Sequence, residues 1–106
     1  MRADALAVLA GTPAMSEADV KKALKSYLDE IGAYYYMAVP MGYGKHTLDF
    51  LVCHKGHFYG IETKRPGVDK TTLAQSCVMR EIASAGGGVI LENSVNLEAT
   101  KRVLLP

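Results

Sequence analysis

The turn His54-Lys55-Gly56-His57 separates two apolar runs, Leu48 to Cys53 and His57 to Lys64, and it limits the chain's folding options more than any other segment. The second run, His57-Phe58-Tyr59-Gly60-Ile61-Glu62-Thr63-Lys64, is aromatic and β-branched and is bounded by Lys55-Gly56 and Arg65-Pro66-Gly67, as a β-strand is. Joined by so short a turn, the two runs form a hairpin. With Lys55 and Gly56 as its central residues, His54 faces His57 and Asp49 falls opposite Glu62; a bulge at Gly56 would move the pairing by one residue. Alternate strand side chains share a face, so Glu62 and Lys64 point the same way.

Two carboxylates directly opposite each other on a sheet repel, and Lys64 alone does not neutralise both. A divalent cation does. Carboxylate oxygens with retained waters are what Mg²⁺ or Mn²⁺ prefers, the shell being completed by substrate phosphate. A lysine one pleat beyond Glu62 is placed to hold an attacking water and to stabilise negative charge developing on phosphorus. The competing reading is a surface Glu62–Lys64 ion pair, worth about 0–1 kcal/mol, with Asp49 a polar residue at a strand start. Spacing alone leaves both open.

At 106 residues the chain is long enough for one core and has no room for a second. A charged fraction of 22% and a hydrophobic fraction of 49% are those of an ordinary soluble domain. No apolar run approaches a membrane span, and the amino terminus lacks the order of a signal peptide, so the expected location is the cytoplasm. The net charge of +1 hides an uneven layout. With Asp49 and Glu62 committed to a cation, Lys45, Lys55, Lys64, Arg65, Lys70 and Arg80 leave a basic half suited to a polyanion. Cys53 and Cys77 lack metal-site spacing and are read as buried reduced thiols. His46, His54 and His57 are read as exposed turn residues.

In chain order, residues 1–15 end in Gly11-Thr12-Pro13 and read as an arm, and 16–106 as the domain. Ser16 with Asp19 opens a helix whose stripe is Val20, Ala23, Leu24, Tyr27, Leu28 and Ile31, closed at Gly32. Ala33 to Val39 is a strand stopped by Pro40. In it Tyr34, Tyr36 and Ala38 face one way and Tyr35, Met37 and Val39 the other. Met41 to His46 is a glycine-punctuated loop with a basic tip. After the hairpin, Thr72 to Ala85 is a helix burying Leu73, Ala74, Cys77, Val78 and Ile82, ended by Gly86-Gly87-Gly88. Val89 to Leu91 is a fully apolar buried strand, and Ser94 to Leu105 a closing helix. The expected class is α/β, a mixed sheet flanked by helices in the order α-β-β-β-α-β-α.

At this point the chain resembles the VRR-NUC domain, a branch of the PD-(D/E)xK, restriction-endonuclease-like superfamily. The resemblance is carried by Glu17 at the first helix, Gly44-Lys45-His46-Thr47-Leu48-Asp49, Ile61-Glu62-Thr63-Lys64-Arg65-Pro66, Thr72-Leu73-Ala74-Gln75, and the glycine run before Val89. It spans nearly everything from Ser16 to about Leu97. It implies a restriction-endonuclease-like core and a Mg²⁺- or Mn²⁺-dependent endodeoxyribonuclease. Asp49, Glu62 and the Thr63 backbone carbonyl would be metal ligands, with Glu17 joining directly or through water. Lys64 would be the catalytic lysine and Gln75 would orient it, water or phosphate. Short members are similar to phage and bacterial Holliday-junction-resolving homodimers, which implies branched DNA as partner and, for a phage protein, the host cytoplasm as location. Lys45, Arg65 and Lys70, with Lys101 and Arg102, are the expected phosphate contacts. One tyrosine of Tyr34 to Tyr36 at a sheet edge could touch DNA. The alternatives are a non-catalytic nucleic-acid-binding module, a flap or other structure-specific nuclease, and a partner-binding domain.

Overall fold

The computed structural model describes residues 15–39 and 46–106. The expected arm and the basic loop tip, with Lys45, lie outside the described residues. The elements are α1 (Glu17–Glu30), β1 (Tyr34–Met37), β2 (Phe50–His54), β3 (His57–Thr63), α2 (Leu73–Ser84), β4 (Gly88–Glu92) and α3 (Glu98–Val103). Their order is the expected one. The sheet runs β1-β2-β3-β4, antiparallel through β3 and parallel between β3 and β4, so it is mixed.

Local chemistry explains where these elements start and stop. Ser16 accepts from the Asp19 amide while Asp19 reaches back to the Ser16 amide at 2.8 Å, satisfying two orphan donors of α1. Gly32, at φ 74°, takes the left-handed position after the helix. At the hairpin both Lys55 (φ 50°) and Gly56 (φ 81°) are left-handed, the requirement of a two-residue turn whose twist matches its strands. His54 therefore pairs with His57 and Phe50 with Ile61, without a bulge.

The sheet has two different faces. On one, Phe50, Val52, Ile61 and Ile90 pack with Leu24 and Leu28 of α1 and with Leu97 and Leu104 around α3. Tyr35 and Met37 turn toward this core, and the Tyr35 ring lies 6.0 Å from Phe50. On the other face α2 closes down on Gly60. A Cβ there would lie 2.6 Å from Ile82 Cδ1 and 2.9 Å from Leu48 Cδ1, so a side chain at this position would require those two methyls to shift. Tyr34, Tyr36 and Phe58 remain exposed.

Several expectations need correction. Cys53 and Cys77 are exposed rather than buried, and both are free. Cys53 is registered beside exposed Tyr34 and Phe58, away from the core face. His54 is buried, its Nε2 2.6 Å from the Leu105 carbonyl, because its strand position points it under the carboxy-terminal tail. Helix α2 buries Val78 and half-buries Gln75 and Ile82, whereas Leu73, Ala74 and Cys77 face solvent. The Thr72–Gln75 capping box sets that phase. Strand β4 is not fully apolar and buried: Val89 is exposed, and the strand ends in a buried acid, Glu92. The closing helix is shorter than expected, because Leu97 sits at φ 56° and breaks helical geometry before Glu98.

Candidate active site

Asp49 lies just before β2, and Glu62 is the penultimate residue of β3. Extending the Phe50–Ile61 register by one residue puts the two acids opposite each other, as expected. Here regular pairing gives way to side-chain contacts. The Asp49 amide donates to Glu62 Oε1 at 3.2 Å, and Thr63 donates to Asp49 Oδ2 from its amide at 3.0 Å and its hydroxyl at 2.7 Å. The ladder's end is thus closed by the acids themselves.

Glu62 is only 4% exposed. Burial first, and the neighbouring Asp49 charge second, push its carboxyl up to about 7; the Asp49 amide and Lys64 pull the other way without cancelling this. Lys64 Nζ is 4.0 Å from Glu62 Oε2, on the same side as expected but too far for a hydrogen bond. Its bonded partner is Gln75, whose Oε1 accepts from Nζ at 2.9 Å. The same amide donates from Nε2 to Glu62 Oε2 at 2.7 Å. A carboxamide can do this because it carries acceptor and donor on one planar group. Gln75 Oε1 also accepts from the Thr72 amide, so one side chain caps α2 and clamps the acid to the lysine. The Gly60 contact sets how near α2, and with it Gln75, comes to β3.

The lysine is fixed from its backbone as well, since its amide donates to the Glu92 carbonyl at 2.9 Å. Glu92 itself accepts from the Ser94 amide at 3.2 Å and the Thr100 amide at 2.8 Å, tying the end of β4 to the segment that follows it and to α3. Its buried carboxylate was not expected from the sequence, because its partners are chosen by tertiary placement.

Glu17 is not in direct contact with the acidic pair. Lys21, one turn further along α1, stands between them: Nζ is 3.4 Å from Glu17 Oε2 and 3.8 Å from Asp49 Oδ1. Lys21 was missed in the sequence, although its i, i+4 spacing from Glu17 was a visible signal. The Thr63 hydroxyl was missed too, only the backbone of that residue having been assigned a part. Arg65 and Lys70 are exposed in the segment that leaves the site for α2. Lys101 and Arg102 are also exposed, on α3 across the sheet from α2, with Lys101 Nζ 5.3 Å from the Tyr27 ring centroid.

Among the described residues, no three His, Cys, Asp or Glu side chains converge as a metal cage. Two carboxylates at one site still fit a hard cation that keeps several waters and takes substrate phosphate as ligand, which is how Mg²⁺ is usually held. Burial is the first cause of the upward push on Glu62, and the Asp49 charge beside it adds to that push. The donor set therefore fits Mg²⁺ or Mn²⁺ and does not fit a closed zinc site.

No family model and no curated protein matches the sequence. The fold does have a match: a solved structure described as a VRR_NUC domain superimposes with a TM-score of 0.65 at 21% identity, over 78% of this chain and 89% of that one. Mixed sheet, flanking helices and this superposition agree, and the chain has the fold of a VRR_NUC domain.

Proposed function

We propose that the protein is a metal-dependent nuclease that hydrolyses phosphodiester bonds, with Asp49, Glu62, Lys64 and Gln75 as its working residues. The observation that carries this reading is the Gln75 clamp. It holds Lys64 by hydrogen bond while keeping it from closing a tight ion pair with Glu62, so the ammonium stays directed beside the acids rather than consumed by them.

Asp49, Glu62 and the Thr63 carbonyl would hold Mg²⁺ or Mn²⁺, with Glu17 reaching the shell through water. Once bound, the ion would supply Lewis-acid stabilisation of the phosphate and a more acidic water. The Lys64 ammonium donates to a non-bridging phosphate oxygen and orients the attacking water. Hydrolysis forms a bond from that water's oxygen to phosphorus and breaks the bond to the leaving sugar oxygen; one water proton ends on the leaving group. Gln75 keeps Lys64 in place through this sequence. Arg65 and Lys70, exposed in the segment between β3 and α2, contact flanking phosphates and set affinity rather than base preference.

The substrate we favour is structured DNA, four-way junctions first, cut by a homodimer that presents two sites to two strands. Cleavage of labelled junction, flap, nicked and duplex DNA with each metal tests it. Preferential junction cutting is expected, and equal cutting of plain duplex would overturn the structure-specific part.

A further inference from the structure

We propose that Lys21 is the resident cation of the acidic site: its ammonium holds the place between Glu17 and Asp49 in the metal-free protein, and an entering divalent ion displaces it. This rests on reading the acidic pair as a metal site. Thr63 occupies Asp49 Oδ2 with two hydrogen bonds, while Oδ1 is the oxygen that faces Lys21. The helical spacing of Glu17 and Lys21 puts both on one side of α1, and the lysine stem spans the remaining gap to Asp49.

The two lysines of the site are held differently. Lys64 Nζ is hydrogen-bonded to Gln75 at 2.9 Å and its side chain is only 15% exposed. Lys21 Nζ lies 3.4 Å and 3.8 Å from its two carboxylates, and its side chain is 36% exposed. Charge holds it in place more than directed bonding, and it has water to swing into. An ammonium and a divalent ion a few ångströms apart repel, so they do not share the position. Lys21 therefore competes with the metal and raises the concentration at which the site loads, while Lys64 stays in place in both states.

The test is calorimetric titration of the full chain with Mn²⁺ in the absence of DNA, comparing wild type with Lys21→Met, Lys21→Gln and Lys21→Arg. Both neutral variants are expected to bind Mn²⁺ about two- to fivefold more tightly, the size of effect a half-exposed ion pair exerts. The arginine variant, which keeps the charge, is expected to stay near wild type. Two neutral replacements are used so that a folding defect in one leaves the other to decide. Unchanged or weaker binding in the neutral variants, with wild type binding Mn²⁺, overturns the role of Lys21 alone. No Mn²⁺ binding by any variant overturns it together with the metal reading.

Discussion

Thr63 gives both its amide and its hydroxyl to a single oxygen, Oδ2 of Asp49, at 3.0 Å and 2.7 Å. The residue between Glu62 and Lys64 thereby fixes the opposite acid, and a fully buried threonine is used where packing alone would accept an aliphatic side chain. Thr63→Val keeps the shape and the amide bond but removes the hydroxyl donor. It should cost about 1.5–3 kcal/mol in denaturant unfolding, as expected for a lost hydrogen bond to a charged group, and should lower nuclease activity. Thr63→Ser should restore most of both.

Gln75 can be dissected by a substitution that leaves its capping role intact. Gln75→Glu preserves an acceptor for the Thr72 amide and for Lys64, but it replaces the donor to Glu62 with a third carboxylate. Helix content should be unchanged by circular dichroism. Cleavage should fall by about 10- to 100-fold, the usual effect of altering a residue that orients metal ligands.

Glu62 gives the metal-free protein a characteristic pH dependence. Its carboxyl is raised from 4.5 to about 7 in the folded state, so between those values the unfolded chain has released a proton that the folded chain retains. This contribution to stability is fully present below pH 4.5 and is lost as pH rises through 7. The loss is on the order of 3 kcal/mol by linkage. Asp19, held below its usual range first by the Ser16 amide, acts at more acidic pH and leaves this window alone. Urea unfolding in chelator at pH 5, 6, 7 and 8 should show the decline, and Glu62→Gln should flatten it.

Gly60 tests the contact that delivers Gln75 to the site. Gly60→Ala places a methyl 2.6 Å from Ile82 Cδ1 and 2.9 Å from Leu48 Cδ1. Overpacking of this kind should destabilise by about 1–3 kcal/mol and shift α2 away from β3. Adding Ile82→Val removes the closer of the two atoms, and the double variant should recover part of the stability by thermal unfolding. Additive losses would show that Ile82 does not limit the approach of α2.

How much could be read from the chain followed the range of the interactions involved. The hairpin register, and with it the Asp49–Glu62 pairing, was legible because a two-residue turn at Lys55-Gly56 sets it locally. The first helix was legible for the same reason, through its Ser16–Asp19 box and its apolar stripe. The buried face of α2 was misread because Leu73 and Cys77 look hydrophobic, while the Thr72–Gln75 cap turns Gln75, Val78 and Ile82 inward. Buried His54 and Glu92 were illegible, since their partners, the Leu105 carbonyl and the Thr100 amide, are brought to them by the path of the chain around α3. At the site, residue types and order were visible. That Thr63 would hold Asp49, and Lys21 would face it, depended on side-chain directions that spacing does not determine.

The central claim is that Asp49 and Lys64 perform phosphodiester hydrolysis. It is tested most directly by incubating wild type, Asp49→Ala and Lys64→Ala with a labelled four-way junction in Mg²⁺ or Mn²⁺, with folding of each variant checked by circular dichroism. The expected result is cleavage by wild type and none by either folded variant. Wild-type-like cleavage by either variant, or no cleavage of any DNA by wild type in either metal, would contradict it.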